Sequence, residues 1–141
     1  MAKDNLKLPD FEHVSGETPT VRWDEENKIG YLKIPVIITE DEMEQLVKQI
    51  FPLLRQASGK GKIYVDLSIT QPHLVRAGKM RKRILGVLQE VTEIGVEKIA
   101  MLIGSIIVKT ALSFIIAAGG LKNIKIFKTQ EEALNWLKES E

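Results

Sequence analysis

Residues 97–120 read EKIAMLIGSIIVKTALSFIIAAGG, and the division of this stretch decides the fold. Taken whole, residues 99–118 are 20 residues with one charge, Lys109, about the length of a membrane-spanning helix. A lysine at the centre of such a helix costs roughly 2.5–3.5 kcal/mol. Gly104-Ser105 also interrupts the run. Divided there, IAMLI suits a short strand buried on both faces. Ser105 is a good N-cap for the helix that follows, and the Gly119-Gly120 pair stops it. Strand 97–103 and helix 105–118, with no spanning segment, satisfy more of these local rules than one long helix does.

Working outward, the flanking segments alternate in the same way. KIYVDL (62–67) is apolar at Ile63, Val65 and Leu67 and predicts a strand; NIKIF (123–127) predicts the last one. Between 74 and 94, Ala77, Met80, Ile84, Val87, Leu88, Val91 and Ile94 line one helical face, which Gly95 ends. Thr39-Glu40-Asp41-Glu42 and Thr129-Gln130-Glu131-Glu132 both have the capping-box form, and each opens a helix. In the first of these, Met43, Leu46, Val47, Ile50, Leu54 and Ala57 recur at helical spacing, and Pro52 predicts a kink or an early end near residue 51. VRWD (21–24) and KIGYLKIPV (28–36) read as a hairpin across EEN. Residues 1–20, with Pro9, Gly16 and Pro19, read as an N-terminal arm, leaving 21–141 as the domain. The order ββ-α-β-α-β-α-β-α predicts an α/β fold with a mixed, mostly parallel sheet, an N-terminal hairpin and about four helices.

Composition narrows the function. The chain has 141 residues, 44% hydrophobic and 28% charged, which fits a globular domain with a core of its own. It has no cysteine, so disulfides, thiol catalysis and cysteine-ligated metals are excluded. Its two histidines, His13 and His73, are too few for a multi-histidine metal site. The first residues lack the apolar core of a secretory signal, so a cytoplasmic protein is expected, with peripheral contact to a membrane as an alternative. Glycine-rich phosphate loops, nucleophile elbows and zinc-binding HExxH motifs are all missing. No catalytic residues, metal or cofactor are therefore expected.

Three features could carry function. The first is basic: Arg76, Lys79, Arg81, Lys82 and Arg83 fall within eight residues, and all but Arg81 project to one side of the helix. Residues 1–47 carry 5 basic and 11 acidic groups, whereas residues 48–98 carry 10 and 4. Arg76, Lys79 and Arg83 are thus candidates for docking an acidic protein or anionic headgroups, or else form a solvated face that balances the acidic third. Nucleic acid is disfavoured, because aromatic residues are few and do not interleave with the basic ones. The second feature is the carboxyl edge of the sheet, where open α/β sheets bind ligands. Ser68, Thr70, His73 and Ser105 gather there as candidates for anion binding; Ser68 and Thr70 are also candidate phosphorylation sites. The third is the helix 105–118 itself. Ile107, Leu112, Ile115, Ile116 and their neighbours surround almost its whole circumference, more than one sheet can cover. Packing within the monomer, a second subunit, a lipid or an apolar ligand could bury the excess.

The stretches VDLSITQPH, IAMLIGSIIVKTALSFIIAAGG and above all NIKIFKTQEEALNWLKE resemble the SpoIIAA-like members of the STAS superfamily, also described as STAS/SEC14-type domains. The resemblance covers roughly residues 21–139. It implies a sheet with helices mainly on one side, and a non-catalytic regulatory module that binds a protein partner. The SEC14-like description implies, alternatively, carriage of a lipid or small apolar ligand. In the anti-sigma-factor antagonists of this superfamily a serine after a D-L-S-type strand is phosphorylated to control partner binding. Val65-Asp66-Leu67-Ser68 matches that strand end, while the antagonists' D-S-S-G motif would fall near Leu74–Gly78, which reads L-V-R-A-G.

Overall fold

The computed structural model describes residues 19–34, 38–57, 59–70 and 78–139. Five strands and four helices follow in order: β1 (Thr20–Asp24), β2 (Ile29–Lys33), α1 (Glu40–Gln56), β3 (Lys62–Leu67), α2 (Gly78–Ile94), β4 (Lys98–Ile103), α3 (Ile106–Gly119), β5 (Ile124–Phe127) and α4 (Gln130–Lys138). The sheet order is β1-β2-β3-β4-β5, antiparallel at the β1–β2 hairpin and parallel from there on. Residues 99–118 therefore divide as their residues predict, and among the described residues no helix is long and apolar enough to cross a membrane.

Side-chain alternation along the strands sorts the core into two. Leu32, Ile63, Leu67, Ile99, Met101, Ile103 and Ile124 point to the face that packs on α1, α2 and α3. The intervening residues Ile29, Tyr31, Tyr64, Ala100 and Leu102 point to the other, where α4 seats Ala133 and Leu137. Lysines finish that second contact. Lys62 Nζ donates to the Leu137 carbonyl at 2.7 Å, and Lys98 Nζ to those of Trp136 and Glu139 at 2.7 and 2.9 Å. These carbonyls lie at the C-terminal end of α4, where the helix leaves acceptors short of partners and the helix dipole favours a cation.

Local rules explain the ends of the elements, with two departures. Thr39 and Glu42 form the complete reciprocal box at α1. At α4, Thr129 accepts from the Glu132 amide, while the Glu132 carboxylate takes the Thr129 hydroxyl rather than its amide. Gly120, with φ 64°, closes α3 in the left-handed conformation that glycine adopts without strain. The first departure is Pro52, which neither ends nor shortens α1: the helix continues to Gln56. Proline removes only its own N–H, and its ring is exposed, while Ile50, Phe51 and Leu54 hold both sides of it in the core. The second is β2, which ends at Lys33 rather than running to residue 36; residues 35–37 lie outside the described residues. Residues 1–18 and 74–77, the bulk of the expected arm and the expected start of α2, also lie outside them.

Candidate functional site

In a parallel sheet every crossover helix starts at the carboxyl edge, so α2 and α3 begin side by side there. The chain passes closely between them. A side chain at Gly104 would run into the Ser68 carbonyl, so glycine is what lets the β4–α3 turn lie against the loop after β3. Ser105 then caps α3, accepting from the Val108 amide at 3.4 Å.

The helix α3 carries two apolar stripes, offset by one residue. Val108, Leu112 and Ile115 face the sheet and are buried. Ile107, Ala111, Phe114 and Ala118 face the side and line a groove against α2, with a volume of about 630 Å³. Arg81, Lys82 and Leu85 form the opposite wall. Ile106 is 78% exposed and Phe114 72%. The exposed hydroxyls of α3 bond back to its own backbone: Thr110 donates to the Ile106 carbonyl and Ser113 to that of Lys109, at 2.9 and 2.8 Å. That back-bonding removes donors from what would have been its polar side.

The basic cluster splits in two. Arg83 makes a bidentate pair with Glu44 of α1 and lies 3.7 Å from Glu90; Lys79 pairs with Glu40 at 3.3 Å. The hydrogen bond from Arg83 holds the Glu44 carboxyl below the usual carboxylate range. Lys79 and Arg83 thus bridge α2 to α1, while the Lys79 side chain stays largely exposed. Arg81, which the helical projection sets aside, lines the groove together with Lys82. Both are exposed, and among the described residues neither has an ion pair. A one-sided projection fails here because α2 has a helical neighbour on each flank, and sequence does not say which neighbour a given side chain meets.

The remaining candidates are dispersed. Thr70 is 4% exposed, and its hydroxyl donates to the Ile34 carbonyl at 3.3 Å, so it serves the core rather than the surface. Ser68 is exposed, with its amide and hydroxyl both donating to Asp66 Oδ1. A phosphate there would break the hydroxyl bond and set two negative groups together. His73 and Arg76 lie outside the described residues. Of the apolar candidates, Ile107 is exposed and Ile116 half-buried; Ile115 is buried but also reaches the floor of the groove, and Leu112 belongs to the core. The feature that sequence reasoning reached only in outline is the groove. Its one legible signal is the 4-3-4 spacing of Ile107, Ala111, Phe114 and Ala118 beside the inner stripe.

On the opposite sheet face, the rings of Tyr31 and Tyr64 meet at a tilt of 45°, with 5.8 Å between centroids. Both hydroxyls are buried, and among the described residues neither has a hydrogen-bond partner. Burial, helped by Asp24 for Tyr31 and by Asp66 and Tyr31 for Tyr64, pushes both well above the usual tyrosine range. They are inert phenols at neutral pH. Among the described residues no group of acidic or histidine side chains could hold a metal.

A family model described as SpoIIAA-like matches residues 29–138, from the first residue of β2 to the last of α4. No curated protein and no solved structure matches the chain.

Proposed function

The chain belongs to the SpoIIAA-like family, and from that premise we propose that it is a non-enzymatic regulatory module that binds a protein partner through the groove between α2 and α3. The observation that carries this reading is the second apolar stripe of α3, open to solvent on a helix whose first stripe already fills the core. Contiguous apolar surface of this kind on a small domain marks an interaction site. Stable protein contacts combine an apolar centre with a polar rim, and Arg81 and Lys82 supply the rim here. The test is a photo-crosslinking amino acid placed at Phe114, with exposed Glu97 as the control position. The expected result is an adduct to a different protein from position 114 alone. No adduct, or adducts equally from both positions, would overturn the reading.

A second reading is carriage of a lipid or small apolar ligand, at a membrane surface or in solution. What favours it is the concavity: an apolar slot of about 630 Å³ with two cations on its wall has room for an acyl chain and an anionic head. Native mass spectrometry of gently purified protein, repeated after denaturation, separates the two. A passenger lost on denaturation favours carriage; a bare chain favours the protein partner.

A further inference from the structure

Resting on the reading of the groove as a protein-binding site, we propose that its occupant is an acidic amphipathic helix of a partner protein. Three observations define that occupant. The first is spacing. Ile107, Ala111, Phe114 and Ala118 recur at intervals of four, three and four, which is the spacing of the seam along which one helix accepts another. Large residues alternate with alanine along it, so the stripe offers holes as well as knobs. The second is shape. The stripe is one wall of a groove, with Leu85 on the opposite wall, so the incoming element lies between two helices and meets both. From Ile107 to Ala118 the seam runs ~17 Å, about three turns of a bound helix.

The third observation is charge. Arg81 and Lys82 stand on the α2 wall with no ion pair among the described residues, whereas the neighbouring Lys79 and Arg83 are already paired with α1. Among the described residues that line the groove none is a carboxylate, and residues 78–89 and 98–130 contain no Asp or Glu. A second copy of this chain seated groove to groove would bring cations to cations. The complementary partner therefore carries Asp or Glu beside its apolar stripe, and the pairing sets its orientation.

The experiment selects binders from a displayed library of random peptides three to four turns long, using the intact protein as bait. Selected sequences are expected to show apolar residues at helical spacing flanked by Asp and Glu. Arg81→Glu with Lys82→Glu should weaken their binding by roughly tenfold or more and shift a repeat selection toward Lys and Arg. Phe114→Glu should abolish it. Selected peptides that are basic, lack helical periodicity or bind the variants equally well would overturn the proposal, as would a selection that enriches nothing. Phosphatidylcholine–phosphatidylserine vesicles form the second arm. Phe114-dependent binding to vesicles, with no peptide selected, would replace the helix by a lipid surface. A crosslinked partner at position 114 alongside non-acidic peptides would sink the acidic helix while leaving the protein-binding function in place.

Discussion

The two stripes of α3 make opposite demands on stability, and a pair of alanine substitutions separates them. Leu112 is 1% exposed and lines a small void of about 100 Å³ beneath α1 and α2. Leu112→Ala removes the equivalent of three methylenes, ~2.4 kcal/mol of transfer free energy. The surrounding core relaxes only in part, so a residual cavity of ~60 Å³ adds ~1.4 kcal/mol, for a total of about 4 kcal/mol. Phe114 is 72% exposed. Of the ~200 Å² that a phenylalanine can bury, only about a quarter is covered, worth ~1.4 kcal/mol. Alanine keeps part of that contact and gains helix propensity, ~0.5 kcal/mol, so the net loss is under about 1 kcal/mol. Urea unfolding at two protein concentrations measures both. With a slope of ~1.5 kcal/mol/M, Leu112→Ala moves the midpoint by more than 2 M and Phe114→Ala by roughly 0.5 M. Comparable losses for the two variants would refute the assignment of stripes. A Phe114 effect that grows with concentration would mean that the groove is closed by a second copy.

Three further outcomes follow from particular contacts. Tyr31→Phe and Tyr64→Phe delete hydroxyls that have no partner among the described residues, so each should be neutral or stabilise by up to about 1 kcal/mol; a loss of that size on urea unfolding would reveal a partner to the hydroxyl. Because folding raises both phenol pKa values, the stability they sustain is complete below the unfolded tyrosine value, about pH 10, and falls as pH rises beyond it. The double Phe variant should flatten that alkaline slope. Lys98→Met leaves the carbonyls of Trp136 and Glu139 without their charged donor, costing about 2 kcal/mol, and hydrogen exchange should speed up in α4 before it does in α1. Uniform acceleration across both helices would show that α4 is not separately held. Gly104→Ala forces the β4–α3 turn off the Ser68 carbonyl and should cost about 1–3 kcal/mol in thermal or urea unfolding; an unchanged midpoint would contradict the close packing at the carboxyl edge.

What the sequence determined by itself were the features set by near neighbours in the chain. The split of residues 99–118 at Gly104-Ser105, the caps at Thr39, Ser105 and Thr129, and the left-handed stop at Gly120 each depend on a few consecutive residues, and each stands in the structure. The alternation of buried strands with helices then leaves a mostly parallel sheet as the arrangement that covers both of its faces. That helix 105–118 has more apolar surface than one sheet can bury was equally legible, because periodicity counts it. Tertiary structure alone decided how that surface is shared. It turned Leu112 and Ile115 to the core and left Phe114 open, since which of two adjacent stripes faces inward depends on how α3 leans on the sheet. It also sent Lys79 and Arg83 to α1 and Arg81 and Lys82 to the groove, and drew Thr70 beneath the surface to the Ile34 carbonyl. The contacts of Thr70, Lys79 and Arg83 rest on partners 36 to 39 residues away in the chain, and no local pattern encodes them.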